Sequence, residues 1–344
     1  MTSPETVTGC ALPGPAGAAP CPPARGELTT ALTEALVRGP GRGRLPAETL
    51  AGTADAYGDD LQLALYLCYE LHYRGWAGVD EAWEWDPQLL GLRRALEQRF
   101  LAALRADVPC DGDAGAALEQ LVVEPVNGRG VTHFLRDHGQ RWHVREYAAH
   151  RSLYQLKEAD PHAWVIPRLT GRAKAAMATV EYEEFGAGRA DRVHAKLFAD
   201  LLRDLDLDDA YGHYLDAAPA VTLATVNLMS LFGLHRARRG ALAGHFAVLE
   251  CTSPPGSRRL VEALRRLGAG PAAVRFYAEH VEADAVHEQL VRHDIIGDLL
   301  AGEPALAPDV AFGIAATVWL EDRLADHLLG AWRSGSSSLR TPLA

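Results

Sequence analysis

His280, Asp284 and His287 follow one another at i, i+4 and i+7 in Phe276-Tyr-Ala-Glu-His-Val-Glu-Ala-Asp-Ala-Val-His-Glu288. At about 100° per residue, these positions fall within roughly 60° of one another on a helix. Imidazole and carboxylate groups on one inward stripe are the donors of a transition-metal site in a bundle core. The same spacing also suits a polar helix face with two surface histidines. A second set, Glu184, Asp191 and His194, shares one face if a single helix runs through it. The Asp191-x2-His194 spacing recurs as Asp284-x2-His287, and an acid–His pair at i and i+3 lets two donors reach one ion. Two acids stand apart. Glu250 closes an otherwise apolar segment, where a buried carboxylate needs a metal or a cation. Glu158 lies in Tyr154-Gln-Leu-Lys-Glu-Ala-Asp160, near a helix end, and by itself reads as a solvated terminal acid.

The elements that must position these residues are helical. Apolar residues at helical spacing predict helices over 26–37, 46–73, 88–106 and 114–123. The stretch 131–135 is short and ambiguous. A long amphipathic helix is expected over 141–158, stopped by Asp160-Pro161, and another from 172 through Phe185. Gly186-Ala-Gly188 loosens the pattern, which resumes over 190–205. The nearly uncharged run 220–232 reads as a central core helix, being apolar on all sides. A second apolar helix, 241–250, is expected to end at Cys251-Thr-Ser-Pro-Pro255, because proline cannot continue the backbone hydrogen bonding. Segments 260–267, 271–300 and 310–329 complete an all-α bundle. The divisions expected are a disordered tail over 1–26, a helical N-terminal extension over 27–130, a catalytic bundle over 131–330 and a flexible tail over 331–344.

Composition narrows the function. The chain has 344 residues, 48% of them hydrophobic, and a net charge of -11. Such an acidic chain without a basic stripe is not built to hold nucleic acid. The small cluster His235-Arg-Ala-Arg-Arg239 reads as a solvated helix end. No apolar run reaches membrane-spanning length. Residues 1–26 lack the basic start and apolar middle of a signal peptide. Five scattered cysteines, Cys10, Cys21, Cys68, Cys110 and Cys251, suggest neither a disulfide framework nor a zinc ribbon, which fits a reducing cytoplasm. No Gly-x-Gly-x-x-Gly follows a strand, so electrons beyond those of a bound metal must come from an external donor.

Tyr154-Gln-Leu-Lys-Glu-Ala-Asp-Pro161, Glu184-Phe-Gly-Ala-Gly-Arg189 with His194-Ala-Lys-Leu-Phe198, and His280-x3-Asp284-x2-His287 together resemble the iron-containing redox enzymes of the haem-oxygenase-like diiron oxidase/oxygenase superfamily. The resemblance spans about residues 141–300 and implies a haem-oxygenase-like seven-helix bundle. Carried over position by position, it implies Glu158, Glu184, Asp191, His194, Glu250, His280, Asp284 and His287 as metal ligands. His280 stands where several members carry an acid. The resemblance implies two iron ions and O2 as co-substrate. It also implies a small-molecule substrate oxidised by N-oxygenation of an amine or by desaturation or C–C cleavage. Asp191, His194, Glu250 and His287 are expected to hold one ion, and Glu158, Glu184, His280 and Asp284 the other. Leu223, Val226, Leu231 and Phe246 are expected to line a dry cavity. Two other readings stay open: a metal-free ligand-binding or cofactor-salvage protein of the same fold, and a haem protein. A homodimer is compatible with the sequence.

Overall fold

No strand occurs among the described residues, and the chain is an assembly of helices, as the periodicity requires. The computed structural model describes residues 18–124 and 128–343, with the backbone alone for 282–285. Two units divide the chain, Met1–Phe100 and Leu101–Ala344. The first holds α1 (Glu27–Arg38), α2 (Glu48–Thr53), α3 (Asp59–Glu70) and the start of α4 (Pro87–Asp107). One helix was expected over 46–73; an Asx turn, with Tyr57 N donating to Asp55 Oδ1 at 3.0 Å, separates α2 from α3 instead. Asp60 caps α1 by accepting from the Leu28 and Thr29 amides, each at 2.9 Å. A carboxylate there meets the positive end of the helix dipole. Residues 18–26, expected as part of a tail, include Arg25 paired with Asp59 at 3.0 Å. The rest of that expected tail lies outside the described residues.

The second unit contains α5 (Ala114–Leu121), α6 (Val131–Asp137), α7 (Arg141–Gln155), α8 (Asp160–Ala163), α9 (Gly171–Glu184), α10 (His194–Asp204), α11 (Ala220–Gly233), α12 (Arg239–Arg266), α13 (Pro271–Gln289), α14 (Asp298–Gly302) and α15 (Ala307–Arg333). α12 is the spine, packing on α13, α15, α6 and α11. It corrects one expectation, because it runs straight through Pro254 and Pro255. Those prolines deprive the Glu250 and Cys251 carbonyls of their i+4 donors. Burial of Leu260, Val261 and Leu264 beyond the break holds the helix together. Where α12 crosses α15, a Cβ at Gly244 would overlap the Val310 carbonyl, and one at Gly313 the Ala241 carbonyl. Only glycine lets the two backbones approach so closely.

Three further segments matter for the site. After α13 the chain forms a π-helical segment, Leu290–Gly297, which packs on α9. Asp298 then caps α9, accepting from Ala173 N at 3.0 Å. The C-terminal residues, expected as a flexible tail, are pinned. Ser338 donates to buried Glu146 from its amide at 2.9 Å and from Oγ at 2.6 Å. Its Oγ also lies 3.0 Å from His150 Nε2.

Candidate metal centre

α7 ends at Gln155 rather than at the expected residue 158, so Glu158 sits in a turn. The next residue, Ala159, adopts the left-handed conformation at φ 75°. A non-glycine residue held there is strained, and Glu158 just before it is buried, 8% exposed. Glu184 is the last residue of α9 and is likewise buried. The helix then breaks. Gly186, Ala187 and Gly188 have φ of 79°, 51° and 79°, and α10 restarts at His194. The break delivers buried His194 to the centre from the first turn of a new helix.

The same break removes Asp191. The expected shared face required one continuous helix, and none exists. Asp191 is exposed in a short 3-10 turn and pairs with Arg189 at 3.3 Å. It joins no group of candidate ligands. The side chain of Asp284 lies outside the described residues, although its backbone is part of α13.

The other six residues come together. Donor atoms of Glu158, Glu184, His194 and His280 lie within 4.8 Å of one another, as do those of Glu184, Glu250 and His287. All six are buried. Glu184 belongs to both groups: its Oε2 is 2.5 Å from His194 Nδ1, and its Oε1 is 3.6 Å from His287 Nδ1. His194 therefore groups with Glu158 and His280, not with Glu250 and His287 as expected.

Two of the imidazoles are oriented by what their other nitrogen meets. His280 Nδ1 donates to the Phe276 carbonyl at 2.8 Å, which turns Nε2 toward Glu158 Oε1 at 3.6 Å. His287 Nε2 donates to Glu183 at 2.6 Å, which leaves Nδ1 facing Glu250 Oε2 at 3.1 Å. A carboxylate behind a histidine is the usual way to fix tautomer and raise ligand basicity. Sequence reasoning missed Glu183. Its signal was faint: Glu181-Tyr-Glu-Glu184 puts three acids in one helical turn, and such runs usually face solvent.

Electrostatics shows what the pocket wants. Burial pulls His287 down, but the Glu250 hydrogen bond and charge, with Glu183 and Glu184, win and push it up to about 10. His194 is also raised, because the Glu184 and Glu158 carboxylates outweigh its burial. Glu250 is raised by burial and by Glu184, against the pull of His287. Protons on imidazoles thus stand where cations would neutralise the carboxylates. Glu158 Oε2 is buried with no hydrogen-bond partner among the described residues. A divalent ion would satisfy it, and the mixed imidazole–carboxylate set, without thiolate, suits iron or manganese.

Beside the carboxylates is a cavity of about 380 Å³, reached by Tyr147, Tyr154, Gln155, His162 and Tyr277 as well as by Glu158, Glu184, Glu250 and His280. Phe246 lines it, as expected, while Leu223, Val226 and Leu231 are buried in α11 instead and line no part of it. No single helix among the described residues is long and apolar enough to cross a membrane. A family model described as iron-containing redox enzyme matches residues 145–322, a span that includes every group just described. A comparison with curated proteins gives no match.

Proposed function

The chain belongs to the family of iron-containing redox enzymes, and on that premise we propose that it is an O2-dependent, non-haem diiron oxidase or oxygenase of a small amine-bearing metabolite. One observation carries the two-metal reading. The two buried ligand groups overlap at Glu184, whose two oxygens face different histidines. A carboxylate so placed would be able to bridge two cations. Two ferrous ions bound there would supply the electrons that activate O2. The chain's own contribution is to hold the ligands in fixed tautomers, keep coordination positions open toward the cavity and exclude bulk water.

The cavity supports the substrate class. Its two arginines are already engaged: Arg151 binds Glu321 through two contacts of 2.6 and 2.9 Å, and Arg259 binds Thr132 and Glu124. A substrate carboxylate therefore finds no uncommitted guanidinium. Gln155 Oε1 is instead a buried acceptor without a donor among the described residues. A ligand that brings an N–H donor satisfies it, and a buried acceptor discriminates strongly against a ligand that lacks one. N-oxygenation or oxidative cleavage next to the nitrogen both suit such a ligand, with an external donor supplying any further electrons.

Anaerobic Fe(II) titration followed by O2-uptake screening of small amines tests the proposal. Binding of two ions per chain and amine-stimulated O2 consumption are expected. Failure to take up iron would favour a metal-free ligand-binding protein of the same fold.

A further inference from the structure

Glu181 is 2% exposed, and neither of its carboxyl oxygens has a hydrogen-bond partner among the described residues. A carboxyl group buried in this way costs stability unless something compensates it. It lies on α9 three residues before Glu184, so the two side chains share a helix face. Burial first, then the charges of Glu184, Glu250, Asp160 and Glu158, push its carboxyl up to about 9. The strongest of those charges belong to the Glu184–Glu250–His287 group. Among the described residues that group offers three donors, whereas the Glu158–Glu184–His194–His280 group offers four. A transition-metal ion held in a bundle core ordinarily takes at least four protein or solvent ligands.

We propose that Glu181 is a fourth ligand of the Glu184–Glu250–His287 position, turning onto the cation when it binds. The inference rests on the two-metal reading of the centre. It explains why a buried acid with two partnerless oxygens is placed one turn before the bridging carboxylate. Before the metal arrives, the neutral acid needs no counter-charge. Once a cation is present, the opposite charge favours the ionised form. Asp284 lies one turn before His287, so it is tested alongside.

The experiment is an anaerobic calorimetric titration of the full chain with Fe(II), repeated with Co(II) while the visible absorption is followed. Wild type is expected to show two binding steps. Glu181→Gln should weaken one step at least about tenfold and alter the Co(II) bands of that position, with apo-protein melting little changed. A merely structural role would shift apo melting and leave both steps and the Co(II) bands as in wild type, which overturns the proposal. If Glu181→Gln does not fold, Glu181→Asp takes its place under the same criteria. Loss of the same step in Asp284→Asn alone, with Glu181→Gln unaffected, assigns the ligand to Asp284 instead. Absence of any metal uptake by wild type defeats the two-metal reading itself. Two normal steps in both wild type and Glu181→Gln defeat only this inference.

Discussion

Acid should loosen this protein through one buried histidine more than through any surface charge. His150 is 2% exposed and joins α7, α11 and the C-terminal residues, with Nδ1 2.7 Å from Thr222 Oγ1 and Nε2 3.0 Å from Ser338 Oγ. The hydrogen bonds define its tautomer. Ser338 Oγ donates to Glu146, so it accepts from His150 Nε2–H. Nδ1 is then the lone pair that accepts from Thr222. A second proton would face the Thr222 hydroxyl in a dry site, and burial, aided by His327 and Arg151, holds the pKa down to about 3. The unfolded chain titrates near 6.5. The unfolded state therefore binds the extra proton first, and stability falls as pH drops below 6.5, until about pH 3. Between pH 7 and pH 5 the loss from this one group is about 2 kcal/mol. Urea unfolding of wild type and His150→Gln at the two pH values checks this. The variant should be less stable at pH 7, yet its decline from pH 7 to 5 should be shallower by about 2 kcal/mol. Parallel declines in the two proteins would refute the tautomer argument and the neutral state of the ring.

Three further outcomes are expected. Asp191→Asn should leave metal stoichiometry and affinity unchanged in an anaerobic Fe(II) titration, because Asp191 is exposed and bound to Arg189. Glu183→Gln should weaken metal binding roughly 10- to 100-fold without unfolding the apo-protein, since it replaces the charged acceptor behind His287 with a neutral one. The metal-binding titration and circular dichroism together separate the two effects. Gly313→Ala should destabilise the bundle by about 1–3 kcal/mol in chemical denaturation, as its methyl group meets the Ala241 backbone where α12 and α15 cross.

How far the sequence foretold the centre depends on the distance over which each argument reaches. His280 and His287 were legible because two helix turns relate them, and α13 is a regular helix over that span. Glu250 was legible as an acid ending an apolar run, although the helix end inferred from Pro254 and Pro255 was wrong. Packing on both sides of the prolines outweighs two lost hydrogen bonds, and local pattern cannot register it. The grouping of His194 was not legible. It depends on three consecutive residues with positive φ between α9 and α10, of which only the glycines leave a mark in the sequence. Asp191 failed for the same reason. Glu183 and Glu181 were hidden in plain view, because a helical acid looks identical whether it faces water, a histidine or the core.

The π-helical segment after His287 sets a register as well as a path. It takes more residues per turn than an α-helix, so it fixes the angle at which Asp298 leaves the bundle. Asp298 in turn anchors the first turn of α9, the helix that ends in Glu184. Two walls of the centre are therefore indexed to each other by a count of residues. Deleting one residue from Leu290–Gly297 would let the wider turns relax to α geometry and shift Asp298 along and around the helix axis, away from the Ala173 amide. The candidate ligands would all still be present in the chain, but the helix that ends in Glu184 would have lost its fixed starting point. Chain length between His287 and Asp298 is thus a control on site geometry, set apart from every candidate ligand.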